Sequence, residues 1–343
     1  MMYINPELND WLKTLPWVGF EDIPAARAQS EANGAQVDLS AYPDVAIHTV
    51  ALPRVADAPS VPCADASSAS SDAEGQQFGS EVLPDLWVRV IHRKALAAED
   101  PVLIHIHGGG LAIGTPEYDD AENAELVHAT GVTILSPDYR LAPEHPYPAG
   151  FHDVVHVFRA LRAHQMTVGE TTLEPERIGV MGHSAGGNLA AALALAARDH
   201  GEQLALQILF EPQLDARLTT PSMRDGNDMP VWNYTNSVLS WDYYLGGREP
   251  DAYASPALAA HLEGLPRTYI VANANDPFRD EDIDYARRLI DAGVPTELHI
   301  WTGTFHGSTA LRSAHLTQAA TQEISRVLRH HLVQEPEEQV RPE

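Results

Sequence analysis

The run Gly182-His183-Ser184-Ala185-Gly186-Gly187 places a serine between glycines two positions to either side. It follows the short apolar segment Arg177 to Met181 and precedes the alanine-rich run Asn188 to Arg198. Strand, G-x-S-x-G, helix is the local context of a nucleophile elbow. The turn is tight enough to strain the serine backbone, and small residues at 182 and 186 keep strand and helix from colliding. Such a turn would hold Ser184 Oγ at the top of a sheet, over a helix N-terminus. A passive serine in a glycine-rich turn would share this pattern, so the reading needs further groups.

The strand-like segment Val102 to His107 runs straight into Gly108-Gly109-Gly110. Attack on an acyl carbonyl builds negative charge on its oxygen, and each backbone N–H aimed at that charge is worth about 3–4 kcal/mol. A triple glycine lets the main chain approach a substrate unobstructed. Gly109 and Gly110 would supply two such donors, and Ala185, the residue after the serine, a third.

A serine nucleophile needs a general base, and the base needs an orienting acid. The chain holds 17 histidines, of which His200, His261, His299, His306, His315, His330 and His331 follow Ser184. His306 lies in Thr302-Gly303-Thr304-Phe305-His306-Gly307, just past the strand-like Thr296 to Trp301, where ligands bind in open α/β sheets. His299 falls inside that strand, His315, His330 and His331 on a polar helix, and His200 at a helix end. For the acid, Arg267 to Ala272 reads as a strand that runs into Asn273-Ala274-Asn275-Asp276. Asp276 is favoured over Asp280. Asp280, Glu281, Asp282 and Asp284 fall in the first turn of the next helix, where capping and the helix dipole explain acidic residues.

These groups need a scaffold of strands whose ends converge. Val45 to Leu52 and Leu86 to His92 read as an early strand pair. Then come strand 102–107, helix 118–130, strand 132–136, helix 151–165, strand 177–182, helix 185–199 and strand 204–210. After a break follow strand 267–272, helix 280–291, strand 296–301 and helix 309–333. This alternation implies a mostly parallel sheet with helices on both faces. The break, about 213–265, carries Met223, Met229, Trp232, Tyr234, Trp241, Tyr243 and Tyr244. Residues 1–40 alternate apolar anchors (Trp11, Leu12, Leu15, Trp17, Val18, Phe20) with polar residues and read as short helices outside the sheet. The stretch 55–81, rich in Ala, Ser, Asp and Pro, reads as a mobile loop.

Four stretches together resemble the hormone-sensitive-lipase-like family of α/β-hydrolases, in its bacterial carboxylesterase and lipase branch. They are His107-Gly108-Gly109-Gly110, Asp138 to Ala149 (DYRLAPEHPYPA), Gly182 to Gly187, and Asp276-Pro277-Phe278-Arg279-Asp280 followed by His306-Gly307. The resemblance spans about residues 85–330. It implies a single α/β-hydrolase domain over 1–343, with Ser184, Asp276 and His306 as triad and Gly109, Gly110 and Ala185 as oxyanion hole. His107 and Gly108 then support the glycine loop. A helical cap from about 1–40 and 213–265 is expected over Ser184, its aromatic and Met residues either lining the acyl pocket or forming the cap's own core. The activity implied is that of a serine carboxylesterase on short- to medium-chain acyl esters. An amidase with the same triad and a non-catalytic small-molecule binding protein are the alternatives. The resemblance is compatible with a homodimer through the last strand and helix. Two positions depart from the pattern: His183 stands where many members carry Asp or Thr, and Glu211 begins a segment usually more apolar. The His183 side chain is expected to face away from substrate.

The formal charge is 22 − 48 = −26. It disfavours nucleic acid and anionic membrane surfaces as partners and suits a neutral substrate. Cys63 is the single cysteine, so no intramolecular disulfide forms. The N-terminus lacks a basic start and apolar core, and the longest apolar run, Leu189 to Ala197, is far below the about 20 residues of a membrane span. A cytoplasmic location is the resulting expectation. The reaction requires no cofactor, and no metal site is expected. His152 and His156 have helical metal-binding spacing but no third ligand with them. Gly108 to Gly114 lacks the Gly-Lys-Ser/Thr of a phosphate loop.

Overall fold

A computed structural model describes residues 2–15, 19–33, 37–54 and 84–333. The stretch expected as a mobile loop, about 55–81, lies outside the described residues, as do Trp17 and Val18. Among the described residues, eight strands form one sheet: β1 (Val45–Leu52), β2 (Leu86–Arg93), β3 (Val102–Ile106), β4 (Thr133–Pro137), β5 (Ile178–His183), β6 (Leu206–Phe210), β7 (Arg267–Asn275) and β8 (Thr296–Phe305). Their order is β1-β2-β4-β3-β5-β6-β7-β8. β2 pairs antiparallel with both β1 and β4, and the remaining neighbours are parallel. β3, β4 and β6 are buried at every position, as central strands covered on both faces must be.

The helices are α1 (Pro6–Leu12), α2 (Ile23–Asn33), α3 (Asp120–Thr130), α4 (Ala149–Arg162), α5 (Ala185–Asp199), α6 (Pro221–Arg224), α7 (Tyr234–Leu245), α8 (Arg279–Asp291) and α9 (His315–Leu328). One face of the sheet packs against α4, α5 and α8, through Ile104, Val180, Leu209, Phe158 and Leu289. The other packs against α3 and α9, through Leu103, Met181, Ile208, Val127 and Ile324. Every residue of α5 from Ala185 to Ala197 is buried. Its alanines allow that helix to lie close to the strands, at no cost in side-chain entropy. None of the described helices is long and apolar enough to cross a membrane.

The expected alternation of strands and helices holds, and α5 occupies 185–199 as read from sequence. Two boundaries are corrected. The continuous helix expected over 309–333 is a 3₁₀ turn at Ser308–Ala310, then α9, then a π turn at Arg329–Val333. Ala314 is extended (ψ 137°) because Leu316 and Ala314 turn in to pack with Leu8 and Phe305. β7 and β8 run further than expected, to Asn275 and Phe305, with a register shift between Trp301 and Phe305. That extension carries Asp276 and His306 up to the level of Ser184.

The first turn of α8 is also corrected. Its N-cap, Phe278, makes no side-chain cap. Glu281 and Asp282 are buried rather than solvated, and Glu281 accepts the N–H groups of Leu214 and Asp215 at 2.7 and 3.1 Å. Glu281 thus fastens the start of the 213–265 segment. Asp280 accepts the Ser222 N–H at 2.8 Å.

Candidate active site

Ser184 sits between β5 and α5 with φ 54° and ψ −116°. A residue with a Cβ pays about 1–3 kcal/mol for such a conformation. The cost is accepted because the neighbouring chain leaves no other path. A Cβ on Gly182 would overlap the carbonyl oxygen of Gly186, and one on Gly186 would overlap that of Ile106. The Ser184 N–H donates to Phe210 O at 2.8 Å, which pins the elbow to β6.

The structure brings Ser184, His306 and Asp276 together. Asp276 is fully buried, and its Oδ2 accepts from His306 Nδ1 at 2.8 Å while its Oδ1 accepts the Phe278 N–H at 2.9 Å. With Nδ1 committed as donor, Nε2 presents a lone pair, and it lies 2.8 Å from Ser184 Oγ. Burial alone would lower the His306 pKa. The charges of Asp276 and Glu211, with the hydrogen bond to Asp276, outweigh burial and the repulsion of His183 and hold it at about 9. Of the two acids weighed from sequence, Asp276 lies within hydrogen-bonding distance of the imidazole, whereas Asp280 accepts the Ser222 N–H.

Glu211, whose part the sequence left open, lies against this line. It is buried, at φ 44°, and accepts the Gly307 N–H with both oxygens at 3.0 Å. It also accepts from Asn273 Nδ2 and stands 3.9 Å from His306 Nδ1. Burial pushes its carboxyl above the ordinary range, and the neighbouring Asp276 adds to that, while His306, His183 and the Gly307 N–H pull the other way.

The glycine loop faces the elbow. Gly109 (φ 117°) and Gly110 (φ 56°) adopt conformations that L-residues rarely take. Ala185 opens α5, so its N–H has no intrahelical acceptor. His107 donates through Nδ1 to Gly108 O at 2.7 Å, and stacks on Tyr139 with centroids 4.3 Å apart. Tyr139 in turn donates to His107 O at 3.0 Å. Sequence reasoning missed Ser240, which donates to Gly110 O at 2.8 Å and accepts from Gln213 Nε2 at 3.0 Å. A lone serine on α7 carries no sequence signal for such a role.

Elements outside the sheet close over this loop. A Cβ on Gly110 would lie 2.6 Å from Trp232 and 2.7 Å from Phe20. Phe20 and Trp232 meet edge to face at 5.0 Å, and Trp232 and Phe278 flank His306 at 5.8 and 5.2 Å. Arg27 on α2 binds Glu144 through two nitrogens at 2.9 and 2.7 Å and donates to Ala112 O and Ala142 O. The aromatic set expected in 213–265 therefore divides. Met223 and Trp232 join Phe20 and Phe278 beside the site, whereas Trp241 and Tyr244 belong to the main core.

His183 points to the opposite face of the sheet, with its Nε2 3.0 Å from Glu122 Oε2. Burial would lower its pKa, but Glu122 reverses the shift and holds it at about 9.

Residues 103–310 match the family model described as alpha/beta hydrolase fold. The chain belongs to the hormone-sensitive-lipase-like family of α/β-hydrolases. It is 37% identical over 242 residues to carboxylesterase NlhH of Mycobacterium tuberculosis, covering 68% of this chain and 74% of that one. Among solved structures, a bacterial heroin esterase superposes with a TM-score of 0.82 at 36% identity, covering 95% of this chain and 97% of that one. Esterase LipW of Mycobacterium marinum superposes with a TM-score of 0.79 at 30% identity, over 95% of each chain. As a member of this family with esterases among its relatives, the chain is a carboxylic ester hydrolase.

Proposed function

We propose that this chain hydrolyses short- to medium-chain acyl esters through a Ser184–His306–Asp276 triad and a covalent acyl-enzyme. The observation that carries the reading is the unbroken line of two 2.8 Å hydrogen bonds from Ser184 Oγ through His306 to a fully buried Asp276. In this mechanism His306 Nε2 takes the Ser184 proton as Oγ bonds to the ester carbonyl carbon. The oxyanion is held by the N–H groups of Gly109, Gly110 and Ala185. Collapse breaks the bond to the leaving alcohol, to which His306 returns the proton. Water, deprotonated by the same imidazole, then attacks the acyl carbon, and the carboxylic acid leaves as Ser184 regains its proton. Asp276 keeps the tautomer and stabilises the imidazolium.

Residues 1–40 and 213–265 act in this reading as a cap over the site. The rings of Phe20 and Trp232 against the glycine loop leave limited length for an acyl chain. Phe20→Ala is expected to lower kcat/KM for a butyrate ester about tenfold, while favouring longer chains relative to shorter ones. Unchanged kinetics and an unchanged chain-length profile would remove the cap from the account.

Only neutral His306 accepts a proton, so kcat/KM is expected to rise with pH towards its pKa of about 9. The charge of Glu211 contributes to that elevation, alongside Asp276 and against the opposing charge of His183. Glu211→Gln removes a negative charge beside the imidazolium, so the acidic limb should move to lower pH, by on the order of one unit. A pH–rate profile of this variant that superimposes on that of the native enzyme would exclude Glu211 from setting the base.

The test of the substrate class is a series of p-nitrophenyl acetate, butyrate, octanoate and palmitate. The reading expects a kcat/KM maximum at acetate to octanoate and little turnover of palmitate. A maximum at palmitate would contradict it.

A further inference from the structure

On the face of the sheet covered by α3 and α9, away from the triad, two imidazoles and two carboxylates converge. His105 on β3 is fully buried. β3 and β5 pair in parallel with His105 opposite Met181, so His183, two residues on, faces the same side. Glu122 projects from the first turn of α3, and Asp119 immediately precedes that helix. One ring nitrogen of each imidazole and one Glu122 oxygen all lie within 4.8 Å of one another. Asp119 Oδ2 is 3.7 Å from His105 Nε2.

The hydrogen bonds around His105 fix what it offers. Ser136 Oγ donates to His105 O at 2.9 Å and so accepts from Asn123 Nδ2 at 3.4 Å. That orientation turns Asn123 Oδ1 to His105 Nδ1, at 2.5 Å, and Nδ1 must be the donor. Nε2 is left with a lone pair directed into the cluster. His105 Nε2 and Asp119 Oδ2 are buried and make no hydrogen bond, and His183 Nε2 has only its ion pair with Glu122 Oε2, at 3.0 Å. Orphaned buried polar atoms are costly, and a histidine whose far nitrogen is held by a carbonyl-type oxygen is the usual form of a metal ligand.

We propose that His105, His183, Glu122 and Asp119 form a structural Zn²⁺ site that ties β3, β5 and α3 together beneath the nucleophile elbow. Two imidazoles and two carboxylates suit zinc over magnesium or calcium, and a divalent cation balances the two negative charges. Ligand atoms around tetrahedral zinc stand about 3.4 Å apart, so small side-chain rotations close the cluster. Arg312 Nη1, 3.7 Å from Glu122 Oε1, faces the other carboxylate oxygen and leaves Oε2 to the metal.

The test is metal binding itself. The native chain, stripped with chelator and dialysed against Zn²⁺, is analysed for metal by mass spectrometry, with Co²⁺ substitution read by visible absorption. The proposal expects one Zn²⁺ per chain, intense tetrahedral Co²⁺ bands, and a rise in Tm of about 5 °C at a hundredfold excess over Kd. His183→Gln, Glu122→Gln and the milder Asp119→Asn should each lose or weaken binding, with circular dichroism reporting their fold. Absence of stoichiometric metal in the native chain would overturn the site, whatever the variants do. So would stoichiometric binding without tetrahedral Co²⁺ bands, or binding undiminished in a folded variant.

Discussion

Ser184→Ala is expected to lower kcat for p-nitrophenyl butyrate by about 10³-fold or more while leaving the fold intact. The size follows from removing the atom that bonds to the acyl carbon. What survives is catalysis by water at a carbonyl still polarised by the glycine loop. Alanine keeps the Cβ, so it suffers the same left-handed conformation as serine, and the elbow has no reason to relax. A fall in activity then reports lost chemistry rather than a moved backbone. Unchanged circular dichroism and Tm would establish that, and a variant with near-native turnover would exclude Ser184 as nucleophile.

Asp276→Asn is expected to cost about 10³–10⁴-fold in kcat, although it changes only one atom. The Phe278 N–H donates to one side-chain oxygen of residue 276, and His306 Nδ1 to the other. In an asparagine the oxygen must face Phe278, because two N–H donors there would repel. The amide NH₂ then faces His306, forces Nδ1 to accept, and places the ring proton on Nε2. That imidazole points a proton at Ser184 Oγ and cannot take one. Glu211, 3.9 Å from Nδ1, is the one other carboxylate placed to recover part of the loss among the described residues. The double variant Asp276→Asn/Glu211→Gln should therefore fall below the single one. Steady-state kinetics of the three proteins decide this, and a single variant within about tenfold of native would dismiss Asp276 as the orienting acid.

Much of the site was legible because its parts are local. The elbow is written in six consecutive residues whose glycines are needed for backbone clearance, and the glycine loop in four. The alternation of strands and helices placed Asp276 and His306 at strand ends, where ligands bind in such sheets. What was not legible depends on contacts between distant segments. Glu211 looks like an odd polar residue at a strand end. Its meaning comes from Asn273, Gly307 and His306, which only the folded sheet brings to it. Glu281 and Asp282 carry the signature of a helix start, yet α8 buries them, and Glu281 instead accepts two backbone N–H groups of the next segment. His105, Glu122 and His183 sit on three separate elements with no spacing to announce them. The break before α9 came from tertiary packing of Ala314 and Leu316 on α1, which overrode a continuous helical pattern.

The central claim, a covalent acyl-enzyme at Ser184, is tested most directly by trapping it. The protein is treated with a fluorophosphonate ester, digested, and mapped by mass spectrometry. The account predicts one adduct per chain, on the peptide containing Ser184, with parallel loss of esterase activity and no adduct in Ser184→Ala. An adduct on another residue, or full inhibition with Ser184 unmodified, would contradict it.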